Sequence, residues 1–590
     1  MNGTANRSRW PARRIALILL ALTLPAGFWA ARCTMPDTTP KPKPPVSEPS
    51  VGGVPLFATW PKDVKPEVVI VVTGQTYGYL SPCGCSRPQK GGLERRANFF
   101  KILRDKGWPL VAVDLGDLAP PKKVQDQDHL KYEYMMKALA GMGYAAVGLG
   151  IQDFDQQLWH LLARYTLQKS DEPPFVLAAN LLSKDEAGAF TRKAFDVPGG
   201  RPMVGDHAIV RVDRQAPGKP LPHTPVGIVG LLGPTLADRL AQIDKSFAIG
   251  KPDDALATAK AALKAANPAT AINVLLYSGS KDDALKIAAA NKEFHLVACQ
   301  SEESEPPQFP TLVNDDRTFV IQVGHKGQNL GVVGVFKTAA GYELKYQLVP
   351  LGEEFLTPEG DAAAKANATL QLLESYTAQV KKDNLLAKFT EKPLTHEAQI
   401  DHPDAKLAFV GSDKCQACHP NEFKIWKESK HGHAMEALEK YAVRPSLRQF
   451  DGDCVQCHTV GFRYQTGYTN ENETPHLKHV GCESCHGPGS GHVGNPFKKE
   501  FLANLSKWKT KPEDRLPSKE TLEKLATAKS GEGPELAPAT QRVLSAVQTR
   551  CMGCHDHEND PKFDLNKYMP KIWHSGFKAP AGGGLPPNAK

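Results

Sequence analysis

Val480-Gly481-Cys482-Glu483-Ser484-Cys485-His486-Gly487-Pro488-Gly489 is the most informative stretch of the chain. It holds two thiols three positions apart, followed at once by an imidazole. The glycines and the proline behind them end any helix. The same Cys-x-x-Cys-His motif recurs at Cys415/Cys418/His419, Cys454/Cys457/His458 and Cys551/Cys554/His555. It is the attachment signature of a c-type haem. Two thiols add across the two vinyl groups of one porphyrin, and the adjacent histidine reaches the iron as proximal ligand. Paired Cys-x-x-Cys zinc ribbons are the rival reading, but zinc does not require a histidine after every second cysteine. Four c-type haems are expected. A region built around them needs little regular secondary structure, because the porphyrins supply apolar mass that a loop-rich chain lacks.

Working outward, the residues that bind metals crowd into the same region. Eight of the 12 cysteines lie from Cys415 onward, and 12 of the 19 histidines from His402 onward. Structural histidines have no reason to gather in this way, whereas ligands do. The 590 residues call for two or three domains. A net charge of +8 is mild at this length and does not point to nucleic acid.

The N-terminus has the pattern of an export signal. Arg7, Arg9, Arg13 and Arg14 precede an apolar run over 15–31. The run is short for a membrane span and contains Pro25. Cys33 follows it, but Arg32 stands where a lipoprotein signal carries a small residue. An uncleaved anchor, a lipid anchor and a cleaved signal are all compatible with these residues. Residues 1–34 are thus read as signal or anchor, and the Pro-rich stretch 35–64 as a linker holding the body off the membrane.

Residues 65–355 read as α/β. Apolar strand-like runs at 68–72, 110–113, 175–179, 226–232, 272–276 and 294–298 alternate with helical stretches at 93–104, 129–140 and 253–265. That alternation predicts a largely parallel sheet with helices on its faces. Residues 318–348 alternate as antiparallel strands do. The order of Val72-Thr73-Gly74, Gly92-Leu93-Glu94-Arg95-Arg96, Val113-Asp114-Leu115-Gly116-Asp117, Ala178-Ala179-Asn180, Val226-Gly227-Ile228-Val229-Gly230 and Gln322-Val323-Gly324 resembles the metallophosphoesterase domain of periplasmic 5'-nucleotidases. The resemblance implies an α/β sandwich. That family holds two metals with Asp, His and Asn side chains at strand ends, which activate a water and clamp a phosphate. This chain departs from the pattern, with Gln75 and Tyr77, Gly148-Leu149-Gly150-Ile151, Tyr277-Ser278, and Gln300 and Glu302 at the ligand positions; Asp117 survives. Neutral amides and hydroxyls do not hold two divalent cations, so no two-metal cluster is expected, and the domain reads as degenerate.

Ser81-Pro82-Cys83-Gly84-Cys85 sits where that ancestral site would open. Cys83 and Cys85 are too close for an ordinary structural bridge. They suit a strained, reducible disulfide or a two-thiolate site, with two idle loop thiols as the alternative. Cys299 reads as a buried strand-end residue. Residues 356–403, helical over 362–380, read as a solvated connector, and residues 404–590 as the haem domain.

Gly411-Ser412-Asp413-Lys414-Cys415, Trp426-Lys427-Glu428-Ser429-Lys430-His431, Cys454-Val455-Gln456-Cys457-His458 with Gly461-Phe462, and the opening stretch together resemble the tetrahaem cytochrome c-554 family. The resemblance implies a mainly helical multihaem domain in which His431, His492 and His574 are distal ligands. His402, His433, His476, His479 and His557 are spare candidates. It also implies that the second haem, on His458, has an open sixth position. The expected role is electron transfer between donor and acceptor proteins of the cell envelope, periplasmic or at the outer face of the cytoplasmic membrane. The alternatives are a redox enzyme acting on a small nitrogen oxide at the open haem, or a residual periplasmic hydrolase.

Overall fold

The run at 68–72 is apolar without a break because both of its faces are covered. We describe a computed structural model covering residues 50, 51, 54–82, 88–166, 169–214, 221–266, 268–339, 341–442, 444–529, 532–556 and 559–574. The proposed signal segment, Cys33, the Cys83/Cys85 pair and His557 lie outside the described residues. Strand β1 (Val68–Thr73) is wholly buried. Its Val68, Ile70 and Val72 enter one apolar core while Val69 and Val71 enter another. This is the two-residue period of a strand, seen from both sides at once.

The other main strands are β2 (Leu110–Asp114), β3 (Tyr144–Val147), β4 (Phe175–Val176), β5 (His207–Arg214), β6 (Leu221–Leu232), β7 (Ile272–Ser278), β8 (Leu296–Cys299), β9 (Thr311–Val313), β10 (Thr318–Ile321), β11 (Asn329–Thr338) and β12 (Gly341–Pro350). They form two six-stranded sheets, ordered β12-β11-β1-β2-β3-β4 and β9-β10-β8-β7-β6-β5. In the first, β1 to β4 run parallel, and β11 and β12 are antiparallel additions. In the second, β6, β7, β8 and β10 run parallel, with β5 and β9 as antiparallel edges.

Ile70, Val72 and Val113 of the first sheet meet Ile228, Val274 and Leu276 of the second in one buried cluster. Each such side chain removed from water contributes about 1.5–3 kcal/mol. The outer face of the first sheet is covered by α1 (Leu93–Asp105), α2 (Gln125–Met142) and α5 (Ala368–Lys382), through Phe99, Phe100, Met135, Leu139, Leu370 and Leu373. The outer face of the second carries α3 (Pro252–Ala265) and α4 (Lys281–Ala290), through Leu256, Ala259, Leu263, Ala284 and Ala288. The architecture is a four-layer α/β/β/α sandwich.

The α/β sandwich that the resemblance implies is borne out; two narrower expectations, a single sheet read from the alternation and a solvated connector, are corrected. The strands divide between two sheets rather than filling one with helices on both faces. A strand apolar on both sides is satisfied equally by a helix or by another sheet, so the sequence pattern does not distinguish them. The connector is also not solvated. Its helix α5 buries Leu370, Leu373, Tyr376 and Val380 in the outer core of the first sheet. Cys299 ends β8 and is buried, as read.

Ser50–Lys590 is one compact unit, so the sheets and the region of the motifs pack against each other. Beyond Lys382 the character of the chain changes. The helices are mostly one to three turns long, separated by loops. The apolar clusters are small, one around Phe409, Val455, Val460 and Phe462 and another around Leu522, Leu544 and Met569. Among the described residues no helix is long and apolar enough to cross a membrane.

Candidate haem sites and the carboxylate pocket of the sheet domain

Each Cys-x-x-Cys-His motif folds as a single helical turn. The N–H of His419 donates to the Cys415 carbonyl at 2.9 Å and that of His555 to Cys551 at 2.9 Å. The N–H of Cys457 reaches the Cys454 carbonyl at 3.3 Å, and Cys482–His486 is a short α-helix. A helical turn brings residues three and four apart onto one face. Both thiols and the following imidazole of each motif are therefore set to one side of the backbone.

The histidines come together in pairs. The ring centres of His419 and His492 are 6.1 Å apart, those of His431 and His555 6.0 Å, and those of His486 and His574 6.0 Å. An imidazole nitrogen sits about 2 Å from a bound metal and roughly 1.1 Å from its own ring centre, so two imidazoles on one ion hold their centres about 6 Å apart. Every pair joins the histidine of one motif to one of the three histidines expected as distal ligands. The fold thus brings each of these three histidines beside the histidine of one motif, a neighbourhood that the sequence had not given.

Three of the four motif histidines are oriented by a second nitrogen. Nδ1 of His458 donates to the Ala434 carbonyl at 2.6 Å, and Nδ1 of His486 to the Leu505 carbonyl at 2.7 Å. Nδ1 of His555 faces the Asp560 carboxylate at 2.8 Å. A carbonyl or carboxylate only accepts, so Nδ1 carries the proton and Nε2 keeps its lone pair for a metal. Burial holds His419, His431, His458 and His492 below the usual imidazole range and lowers His486 to about 4, so these rings are neutral donors near pH 7.

Among the spare candidates, both ring nitrogens of His433 are engaged, by Glu436 at 3.2 Å and the Lys427 carbonyl at 2.9 Å. Nδ1 of His479 accepts the Met435 N–H at 3.2 Å. His402 packs its ring against Phe501. The C–H edge of the His476 ring lies against Gly411, which is in the left-handed region with φ of 84°.

The motifs adjoin one another through their cysteines. The neighbouring Cys482 thiol raises the pKa of Cys415, which in turn lowers that of Cys482, and Cys457 lowers that of Cys554. Cys485 lies within electrostatic reach of Cys551 and Cys554. Sequence reasoning did not single out Glu483, which lies inside the third motif. Its buried carboxylate accepts N–H groups from Val410, Gly411 and Gly489.

In the sheet domain, the positions that depart from the phosphoesterase pattern converge at the ends of the strands. The Gln75 amide donates to the Tyr77 hydroxyl at 2.8 Å and the Ser301 carbonyl at 3.0 Å, and accepts the Ser301 N–H at 2.7 Å. Gln300 donates to Asp117 at 2.7 Å, and the Gln152 N–H binds the other Asp117 oxygen at 2.9 Å. Ser278 donates to the carbonyls of Leu115 and Leu149. Asp153 accepts the N–H groups of Asp117, Ala119 and Gly150. Gly150 is required by close approach, because a Cβ there would stand 2.1 Å from the Asp117 carboxyl. Burial first, and Asp153 second, raise Asp117 to about 7, and burial raises Asp153 to about 6. Among the described residues no group of three or more His, Cys, Asp or Glu side chains is arranged to hold a metal ion. Glu302, the other residue at a former ligand position, is exposed.

Residues 414–487, which carry the first three motifs, match the family model described as cytochrome c554 and c-prime. Cytochrome c-554 of Nitrosomonas europaea is 37% identical over 120 residues, which are 19% of this chain and 51% of that protein. The chain therefore spans about half the length of this curated relative. Among solved structures, a 5'-nucleotidase precursor from Thermus thermophilus is similar at 19% identity and a TM-score of 0.40, over 53% of this chain and 59% of its own. The calcineurin-like phosphoesterase YfkN from Bacillus subtilis is similar at 14% identity and a TM-score of 0.39, over 53% of this chain and 98% of its own. The C-terminal third is thus similar to c-554 cytochromes and carries c-type haem motifs, and the sheet region has phosphoesterase-like neighbours.

Proposed function

We propose that this chain is a multihaem c-type cytochrome of the cell envelope that passes single electrons through four covalently held haems, and that its sheet domain no longer hydrolyses phosphoesters. The observation that carries the reading is the set of three imidazole pairs with ring centres 6.0–6.1 Å apart. Cys415 and Cys418 would hold a haem between His419 and His492. Cys482 and Cys485 would hold one between His486 and His574, and Cys551 and Cys554 one between His555 and His431. Cys454 and Cys457 would hold the fourth, with His458 as its proximal ligand. Haem iron supplies one-electron oxidation and reduction; the protein supplies spacing and orientation. Two imidazoles on one iron favour electron transfer over ligand chemistry, because both axial positions are filled. Haems held by motifs of one compact unit would lie near enough to pass electrons between them.

The sheet domain supports the second half of the proposal. Gln75, Gln300 and Ser278 spend their polar atoms on protein partners, and Asp117 is bridged by two donors. A two-metal centre needs several anionic or imidazole ligands free to converge, and these side chains do not supply them. Redox donor and acceptor proteins of the envelope would be the partners, with residues 1–34 directing the chain to the membrane. Electron paramagnetic resonance of the oxidised, matured protein tests the reading. Three low-spin signals of bis-imidazole type are expected; fewer than three would refute the assignment of the pairs.

A further inference from the structure

The sheet domain grips the second motif. Asp453 immediately precedes Cys454, and its carboxylate is held by Lys123 at 2.9 Å and by Lys131 of α2. The Lys131 side chain is only 12% exposed and that of Asp453 26%, so solvent screens this pair weakly. Two residues earlier, Asp451 accepts from Gln127 of α2 at 2.7 Å and from the Tyr376 hydroxyl of α5 at 3.3 Å. Asp451 also caps the short helix Gly452–Val455, its side chain accepting the Asp453 N–H at 3.0 Å. Upstream, Glu374 of α5 takes the N–H of Ser446 at 3.0 Å and its hydroxyl at 2.7 Å. Val124 and Cys454 pack against the same apolar cluster, which contains Val455. The turn carrying the second pair of thiols is thus built onto α2 and α5 from several directions.

We propose that the sheet domain holds and electrostatically tunes the second haem, with Lys123 and Lys131 on Asp453 as positioning residues that set its reduction potential. The inference rests on the reading that Cys454 and Cys457 carry a haem. Ferric haem bears one more positive charge than ferrous, so an added negative charge nearby favours the oxidised form and lowers the potential. Two lysines and the carboxylates of Asp451 and Asp453 balance in the native cluster. Removing Lys131 leaves an excess of one negative charge next to Cys454; neutralising Asp453 leaves an excess of one positive charge. The fusion to a phosphoesterase-like sandwich then has a use unrelated to hydrolysis, since α2 of that sandwich and the loop before it supply the counter-charges.

The test is a spectropotentiometric titration of the matured full-length protein, comparing wild type, Lys131→Met, Lys131→Arg, Asp453→Asn and the Lys131→Met/Asp453→Asn double variant, with haem peptides mapped in each. The expected result is that one of the four one-electron waves moves to lower potential in Lys131→Met and to higher potential in Asp453→Asn. The same wave returns close to its native position in the double variant and stays there in Lys131→Arg, and the other three do not move. Asp453→Asn is nearly isosteric and carries the test alone if Lys131→Met does not accumulate. Unmoved waves, or four waves moving together, overturn the inference while leaving the cytochrome reading intact. Absence of haem on the Cys454–Cys457 peptide of the wild type overturns the functional reading, and the inference falls with it.

Discussion

Glu483 offers the sharpest test of how the haem region is held together. It is 4% exposed, with Oε1 accepting the N–H groups of Gly489 at 2.7 Å and Val410 at 3.0 Å, and Oε2 accepting those of Gly411 at 2.7 Å and Val410 at 3.0 Å. Val410 and Gly411 lead into the first motif, Glu483 belongs to the third, and Gly489 lies three residues before His492. One carboxylate therefore joins the segments that lead to His419 and to His492 to the third motif. Burial raises its pKa and the three amides lower it, with the balance on the raised side. Part of the bonding is therefore offset by the cost of burying the charge. Glu483→Gln turns an amide donor toward one of the N–H groups and loses one bond to a charged acceptor, nominally about 1.5–3 kcal/mol. Relief of the buried charge reduces the expected loss to about 1–2 kcal/mol. Glu483→Ala orphans three N–H groups at about 1–3 kcal/mol each, so roughly 3–6 kcal/mol is expected once water enters. Urea denaturation followed at the Soret band measures the loss, and the low-spin signal of the haem on His419 reports whether His492 has shifted. If Glu483→Ala stays within about 0.5 kcal/mol of wild type with an unchanged spectrum, the role given to this carboxylate is wrong.

The assignment of the pairs predicts that His492→Ala, His431→Ala and His574→Ala each convert a single haem to high spin, at the first, fourth and third motifs respectively. Haem-resolved magnetic spectra check this, and conversion of a different haem would break the assignment. The family resemblance gives the haem on His458 an open sixth position, so the reduced protein is expected to take up one carbon monoxide per chain; gas titration showing none would close that site. Asp117 and Asp153, raised to about 7 and about 6, are acids whose folded pKa exceeds the ordinary value near 4, so the fold binds the extra protons and loses stability as pH rises from about 4 to 7. The urea midpoint of the sheet domain should be higher at pH 5 than at pH 7.5, and Asp117→Asn should flatten the slope; an unchanged slope in that variant would remove Asp117 as the cause.

The haem attachment motifs were legible in the sequence because their chemistry is contiguous. Two thiols and an imidazole must fall within one turn, and nothing distant is needed. Distal ligands are a different matter. His431, expected as a distal ligand, lies in sequence between the first and second motifs but stands beside His555 of the fourth, a neighbour that the sequence does not name. Strand positions were readable from apolar runs, since β1, β2 and β7 lie where they were expected. Their division between two sheets was not, because a run buried on both faces carries no label for its neighbours. Helix α5 reads as a charged connector, yet Tyr376 and Leu373 sit in the core of the first sheet. Lys131 and Asp453 are 322 residues apart in the chain. Each alone resembles an ordinary solvated charge, and only the packing of α2 on the second motif makes them a pair. Departures from the phosphoesterase pattern were readable one position at a time; that Gln75 binds Ser301 and Gln300 binds Asp117 required the structure.

The proposed electron transfer requires haem at all four Cys-x-x-Cys-His motifs. Intact-mass spectrometry of the full chain, matured with the haem-attachment machinery and followed by mapping of haem peptides, tests it most directly. Four covalent haems per chain are expected, one each on the Cys415/Cys418, Cys454/Cys457, Cys482/Cys485 and Cys551/Cys554 peptides. A lower stoichiometry at full maturation, or zinc in place of haem at any of these peptides, would contradict it.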